Sequence, residues 1–393
     1  MRRWLVATAL LLSCSTLSAQ STEEAVIGAD TVTYAYTPID QSGHEDSRGH
    51  SGRSLLSAQA GDNSSLDFTI APIYSSTTNF GVALNCQLSY GVPKISGRYG
   101  SKPSSLSLYA SGSINGYYRL MLNGINRLNN SRDILSYGAE AGSLPTRLWG
   151  LSYDDSMLGN YHSYTEKTLS AWFRYSRLIA PNTHLVIMVD IINAEGANLS
   201  DGALQTIGTS ATSVTTAGIG LQLDFDNYHN RIDPPYGFRV GASATYRPRL
   251  LSNIGYDTWQ ATVLFDYYQS LWRGGLLALD IYGRTQSKYT PWLLLAESDG
   301  DSRMRGYYPG RFRGNTLISA QLELRQHIWN GIGAVAWAGA GNIFSDDDPF
   351  SWRKTLPTYG VGLRYRLGSA SFRVDFGFGR DSFNAIVGIN ESF

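Results

Sequence analysis

The chain has 393 residues, of which 16% are charged and 12% aromatic, and its formal net charge is zero. The balanced charge argues against a nucleic-acid partner, and so little charge with so many aromatic residues is unusual for a soluble protein. Beyond the first residues no run of about 18 apolar residues occurs, which excludes helical membrane spans. A transmembrane β-barrel passes this test, because only every second residue of its strands meets lipid.

Residues 1–19 are typical of a secretory signal peptide. Arg2 and Arg3 precede an apolar stretch, and small residues ending at Ala19 form a cleavage site. An alternative is a lipidated Cys14, because the residues before it resemble a lipobox. Residues 20–65 are rich in Ser, Gly, Asp and His without periodicity, which predicts a flexible periplasmic segment that cannot bury a core.

From Leu66 onward, segments with alternating apolar and polar residues recur between turn residues. This pattern predicts a sixteen-stranded antiparallel transmembrane β-barrel over residues 66–393, in an all-β fold. The predicted strands are 66–74, 79–90, 104–113, 116–126, 133–143, 165–179, 182–195, 212–226, 237–251, 256–271, 275–287, 315–329, 332–344, 358–367, 370–380 and 382–393.

The alternation is clearest near the end of the sequence. Val361, Leu363 and Tyr365 would face lipid, whereas Arg364 and Arg366 would face a polar lumen. The inner faces of a soluble β-sandwich carry similar apolar rows. The signal peptide and the length of the strands favour the barrel.

The residues able to carry chemistry form no recognisable catalytic motif. The six histidines are scattered, and Cys86 lies in an apolar row, which indicates a small lipid-facing hydrophobe. Acidic residues at 154–155 and 346–348 could bind calcium, but acidic loops of this kind are usually solvated. The sequence therefore predicts a protein without enzymatic activity, cofactor or metal.

One loop, residues 304–313, carries three arginines and is too polar to lie in lipid. Four motifs stand out, namely the loop's Met304-Arg305-Gly306-Tyr307, the turn at 226–238, Arg373-Val374-Asp375-Phe376-Gly377 and the terminal Phe393. With these motifs the chain resembles the BamA/TamA superfamily of outer-membrane assembly and translocation barrels, the bacterial surface antigen family.

The sequence departs from the family pattern at several points. His229 stands for an acidic residue in the turn, and Gly339 replaces the strand carboxylate that commonly receives the loop arginine. Before the loop motif, Asp299-Gly300-Asp301 keeps only one of two usual glycines. Residues 20–65 are too few and too polar for a periplasmic POTRA domain, so the resemblance is to the barrel-only members.

A planar guanidinium with five donors can hold a loop inside a lumen if inward-facing carboxylates receive it. The candidate acceptors for Arg305 are Glu323 and Asp375, and Trp337 could offer a cation–π platform in place of the missing carboxylate. The alternative is that Arg305 is an ordinary exposed loop arginine. The family motif around it favours the lumen latch.

The first and last strands contain two residues that would weaken the seam between them. Pro72 removes a ladder donor and Gly388 removes a side chain. The resemblance implies a seam that opens toward lipid; alternatively, Pro72 only begins a curled strand end. Phe393 ends a row of the last strand that is apolar except at Glu391, and the row resembles the C-terminal signal that directs barrels into the outer membrane.

Together these features predict an integral protein of the Gram-negative outer membrane, in contact with lipid and lipopolysaccharide. The resemblance implies that it takes part in outer-membrane protein insertion or polypeptide translocation, with a polypeptide substrate and a separate periplasmic protein partner. The alternative is a non-catalytic structural barrel or a passive pore.

Overall fold

The computed structural model describes residues 57–59, 65–90, 104–128, 132–227, 236–367, 370–389 and 393. The predicted signal peptide, Cys14 and nearly all of the predicted flexible segment lie outside these residues. No helix in this part of the chain is long and apolar enough to cross a membrane.

The chain forms one antiparallel sheet of sixteen long strands and one short strand, Ser57–Gln59. Each long strand pairs with the next along the chain, and the last returns to the first, which closes a barrel and confirms the predicted fold. The barrel strands are β1 Ser65–Ser75, β2 Asn79–Tyr90, β3 Ser104–Ser113, β4 Tyr118–Leu128, β5 Asp133–Leu148, β6 His162–Ala180, β7 Thr183–Ala197, β8 Ser213–Asp226, β9 Tyr236–Arg247, β10 Thr258–Trp272, β11 Gly275–Gln286, β12 Thr316–Trp329, β13 Ile332–Phe344, β14 Leu356–Leu367, β15 Ala370–Gly379 and β16 Ser382–Ile389.

Alternation along each strand separates an apolar outer surface from a polar lumen. On β8, Leu221 and Leu223 are exposed on the outside, whereas Gln222 and Asp224 are buried inside the barrel. Such a wall satisfies its backbone groups between strands while presenting oily side chains outward, as a lipid environment requires.

The two ends of the barrel differ. At one end, called here the turn end, tight turns such as Asn330–Gly331 join the strands. At the other, the loop end, long connections include the helices Tyr153–Met157 and Asp201–Ile207. The connection 287–315, called here the lumen loop, folds back into the barrel.

An apolar cluster anchors the start of the lumen loop beneath the helix Asp201–Ile207. The Trp292 side chain donates a hydrogen bond to the Ala211 carbonyl at 2.9 Å and packs edge-on against Tyr164 of β6. Leu293 and Val214 of β8 are fully buried in the same cluster. The loop end of the lumen is therefore closed by side chains from several connections.

Several strands begin or end at residues other than those predicted, because strand pairing, which the sequence pattern does not show, sets their ends. β5 continues to Leu148 instead of 143, because its extra residues, Pro145 among them, pair with the long strand β6. β9 stops at Arg247 instead of 251, where a 3₁₀ turn follows. The prediction that the last strand reaches Phe393 is wrong, since β16 ends at Ile389.

The outward and inward rows can be tested with two substitutions of the same kind. Leu221→Arg places a charge on the lipid face and should lower the free energy of unfolding by about 2–4 kcal/mol. Thr168→Arg places the same charge against a polar lumen cavity and should have a much smaller effect. Urea unfolding in lipid vesicles measures both; equal losses would contradict the assignment of faces.

Candidate functional site

The lumen loop enters its functional segment through a turn organised by Asp299. The Asp299 carboxylate accepts hydrogen bonds from the backbone N–H groups of Asp301, Ser302 and Arg303 at 2.9, 3.0 and 2.9 Å. Burial raises the pKa of Asp299, and the three donors and the Arg303 guanidinium oppose that rise. Gly300 takes φ +71°, which a residue with a side chain rarely adopts.

Arg305 lies at the centre of the site and is fully buried. Its guanidinium contacts the Glu323 carboxylate at 2.5 Å and the Asp375 carboxylate at 3.1 Å. It also lies 3.7 Å above the Trp337 ring and donates to the Gln321 side chain at 3.4 Å. The structure thus places Arg305 against all three side chains that the sequence suggested as its partners.

Further arginines hold the two acceptor carboxylates in place. Arg325 donates to Glu323 at 2.7 Å, and Arg364 donates to Asp375 at 2.5 Å. Glu323 and Asp375 both have no exposed surface. Charged groups buried in this way are stabilised only while their partners remain, so removal of one arginine leaves its carboxylates under-compensated.

Glycines let the loop lie directly on the barrel wall. A Cβ atom at Gly306 would overlap the carbonyl group of Phe378 on β15, and one at Gly377 would overlap the carbonyl of Arg305. At Gly379, a Cβ would overlap the Tyr307 ring. The inner face of β15 therefore provides a bare surface, termed here the glycine track, made of Gly377 and Gly379.

Tyr307 fixes the other end of the motif. Its hydroxyl donates to the Pro357 carbonyl at 2.7 Å and accepts from the Arg380 backbone N–H at 2.8 Å. The ring packs edge-on against Phe312 at 5.6 Å. The preceding Met304 is buried and has φ +52°, an uncommon conformation for a residue with a side chain.

A second anchor was missed from the sequence. Arg303 makes a bidentate ion pair with the fully buried Asp280 of β11, at 2.8 and 2.7 Å, and lies over the Tyr282 ring at 4.3 Å. Ala278, Asp280 and Tyr282 alternate with outward residues on β11. This alternation places the Asp280 carboxylate in the lumen, and it could have identified Asp280 as an acceptor for a loop arginine. The lumen loop is therefore held by β11 as well as by β12 and β15.

The acidic residues considered as calcium ligands are engaged with lysine. Lys354 contacts Asp154 at 3.0 Å and Asp348 at 2.5 Å, and Lys288 contacts Asp347 at 3.3 Å. Among the described residues there is no cluster of three or more groups suited to a metal ion. The free Cys86 is partly exposed on β2.

The seam between β16 and β1 contains a single residue pair within the described residues, Val387 with Tyr74. Elsewhere the ladders between neighbouring barrel strands are long; the one from β15 to β16 runs from Phe372 to Gly379. Pro72 pairs with Val82 of β2, and Gly388 pairs with Arg373 of β15. Neither of these two predicted seam residues pairs across the seam in the described structure.

The short strand Ser57–Gln59 lies on the seam side of β1. It pairs antiparallel with residues Ser65–Asp67. Those same residues pair with β2 on their other side. The strand must therefore occupy the edge of β1 that faces β16.

Phe393 lies in the lumen and not on the outer face of β16. Its main-chain oxygen accepts a hydrogen bond from Arg325 of β12 at 3.0 Å. The prediction that Phe383, Val387 and Phe393 share one face is wrong for Phe393, because Phe383 and Val387 are exposed on the outside. The predicted role of Phe393 in membrane insertion stays a prediction.

A family model described as the Omp85 superfamily domain matches residues 127–386, well over half of the chain. The chain belongs to the Omp85 superfamily. This membership confirms the resemblance inferred from the motifs, and the matched residues include Arg305, Glu323 and Asp375. No curated protein sequence matches the chain.

Solved structures of Omp85-type barrels are similar in fold. BamA from Haemophilus ducreyi lacking POTRA domains 1-3 matches with a TM-score of 0.56 at 12% identity, over 83% of this chain and 70% of that one. CdiB from Escherichia coli matches with a TM-score of 0.57 at 13% identity, over 84% and 64%. CdiB from Acinetobacter baumannii gives 0.53 at 13%, over 84% and 66%. The chain thus spans about two thirds of the length of these proteins.

Arg305→Ala tests the central ion pairs. The substitution leaves Glu323 and Asp375 without the loop cation and should destabilise the loop's docked state by about 3–5 kcal/mol. Cleavage of the lumen loop by added protease should accelerate accordingly. Arg249→Ala, at an exposed arginine of the loop end, is the matched control and should change nothing. Equal cleavage of both variants would show that the ion pairs do not hold the loop.

Gly306→Ala tests close approach while leaving every charge in place. The added methyl group overlaps the Phe378 carbonyl, and overpacking of this kind costs about 1–3 kcal/mol. Protease cleavage of the lumen loop should again accelerate. Gly112→Ala is the control, because its Cβ would meet only the Tyr117 carbonyl oxygen at an ordinary 3.5 Å. Unchanged cleavage of Gly306→Ala would contradict the glycine-track contact.

Proposed function

We propose that this Omp85 barrel inserts or translocates polypeptides at the outer membrane, using the seam between β1 and β16 as the point of entry. The observation that carries the proposal is the single residue pair, Val387 with Tyr74, that closes the barrel within the described residues. A backbone hydrogen bond contributes about 1 kcal/mol net, so opening this seam costs far less than opening a full ladder.

The edge of β1 is suited to receive a polypeptide strand. Backbone N–H and C=O groups left unpaired at an edge form a template for an added strand, and in lipid their pairing is strongly favoured. The short strand Ser57–Gln59 already adds to this edge at Ser65–Asp67. An incoming segment would pair in the same antiparallel way farther along β1.

In this proposal the lumen loop is a brace. Arg305 ties β12 to β15 through Glu323 and Asp375, and Arg303 ties the loop to β11. These contacts keep the wall next to the seam rigid while β1 and β16 separate. The role follows from the contacts, since Arg305 lies between carboxylates of two strands and Arg303 pairs with a carboxylate of a third.

The environment and partners belong to the same proposal. The exposed apolar rows fit an integral outer-membrane barrel in contact with lipid and lipopolysaccharide, with the turn end toward the periplasm. A polypeptide would arrive at that end, delivered by a separate periplasmic protein. Membership of the Omp85 superfamily, with the motifs that resemble assembly and translocation barrels, supports a role with polypeptides over a catalytic one.

A passive pore is the second candidate, and the lumen argues against it. Arg305, Tyr307 and Phe312 of the lumen loop are buried inside the barrel, and Trp292 packs into the closed loop end. A pore would need this loop to move. Steady ion conductance in a planar bilayer by the barrel alone would favour the pore.

A disulfide across the seam tests the proposal. Tyr74 and Val387 are paired directly, so cysteines at these positions lie within disulfide distance. In a Cys86→Ala background, the Tyr74→Cys, Val387→Cys chain should lose insertion of an unfolded barrel protein into proteoliposomes. Reduction should restore insertion, which is measured by protease protection of the inserted protein.

The control is a disulfide in an intact ladder. Phe265 and Ile281 are paired directly between β10 and β11, so Phe265→Cys, Ile281→Cys staples a wall that need not open. This chain should keep its activity in both redox states. Full activity of the seam-locked chain would overturn lateral entry.

A further inference from the structure

A small apolar patch interrupts the polar lumen at the turn end of the barrel. It consists of Tyr268 on β10 with Leu276 and Ala278 on β11, all buried. Nearby inward positions carry charges, such as Asp280 on β11 and Arg325 on β12. An apolar patch facing a wet lumen is unfavourable unless another apolar group covers it.

The group that covers this patch is Phe393. β16 ends at Ile389 beside β15, yet Phe393 packs on the patch formed by β10 and β11. Its ring centre lies 6.4 Å from that of Tyr268. The chain itself therefore shows which side chain fits the patch.

Arg325 recognises both the ring and the main chain of Phe393. Its guanidinium lies 5.3 Å from the centre of the Phe393 ring and 5.9 Å from that of Tyr268. It also donates to the main-chain oxygen of Phe393 at 3.0 Å. A cation above an aromatic face together with a main-chain hydrogen bond selects an aromatic residue on a peptide.

The same arginine belongs to the loop brace. Arg325 donates to Glu323 at 2.7 Å, and the other oxygen of Glu323 contacts Arg305. Glu323 thus orients the guanidinium that holds Phe393. The ion pairs Arg325–Glu323 and Glu323–Arg305 therefore connect the side chain above the apolar patch to the lumen loop.

We propose that this pocket is a binding site for an aromatic residue of the polypeptide substrate, and that Phe393 occupies it in the resting barrel. The inference rests on the proposed function, because it takes a polypeptide as the cargo. Phe393 is only half-buried, and the ring packing, the Arg325 cation and the main-chain hydrogen bond that hold it are contacts that a competing aromatic residue can also make. Replacement frees the end of β16 next to the seam.

The test measures binding of a fluorescent peptide, Ile-Asn-Glu-Ser-Phe, to the full chain in detergent. This peptide reproduces residues 389–393. A tethered ligand competes at an effective concentration of about millimolar, so Phe393→Ala should bind the peptide at least tenfold more tightly than the unmodified chain. Fluorescence anisotropy gives both affinities.

Three controls make the result specific to the pocket. Phe393→Trp keeps an aromatic occupant and should bind the peptide as weakly as the unmodified chain. A peptide ending in Ala should bind Phe393→Ala at least tenfold more weakly than the peptide ending in Phe. Adding Tyr268→Ala to Phe393→Ala should remove the gain in affinity. A difference in gel mobility between the unheated and the heated sample of each variant shows that the variant is folded before heating.

The proposed pocket would be contradicted if Phe393→Ala and the unmodified chain bound the peptide with equal affinity. It would also be contradicted if the peptides ending in Phe and in Ala bound equally. The result is separable from that of the seam experiment. Peptide binding by a barrel that fails to insert proteins would leave the pocket in place and overturn the proposed function. Insertion without peptide binding would overturn the pocket alone.

Discussion

The structure depends on one constraint, which is that backbone polar groups in lipid must find partners within the protein. Of the sixteen pairings between neighbouring barrel strands, fifteen are ladders that give the backbone groups such partners. The sixteenth, between β16 and β1, contains one residue pair within the described residues. A barrel that satisfies the constraint almost everywhere concentrates its weakness in one place, and the same place is where a polypeptide could enter.

The lumen loop joins three strands of the barrel wall through buried charges. The acceptors of Arg305 stand on β12 and β15, and that of Arg303 stands on β11. Ion pairs of this kind add little net stability compared with apolar packing, but they hold a particular arrangement because each partner is costly to leave alone. The loop therefore specifies the geometry of the wall beside the seam more than it stabilises the barrel as a whole.

The sequence was sufficient for the fold because outward and inward residues alternate along most of each strand, as at Val361 and Arg364. The sequence also predicted the contacts of Arg305 with Glu323, Asp375 and Trp337. A family motif identified the arginine, and the alternation along the strands placed the other three side chains in the lumen. It could not supply the path of the loop across the lumen, so the Arg303–Asp280 pair was missed. The position of Phe393 was wrong because the alternation of inward and outward residues holds only within a strand, and β16 ends at Ile389.

The glycine track has a consequence for how the loop moves. Because Gly306 rests on the backbone of β15, and Tyr307 on Gly379, neighbouring positions on the strand cannot accept the loop shifted by one residue. Arg305 would lose Asp375 at the same moment, since that carboxylate belongs to the same strand. A shift of one residue along β15 would therefore break the contacts of Gly306, Tyr307 and Arg305 together.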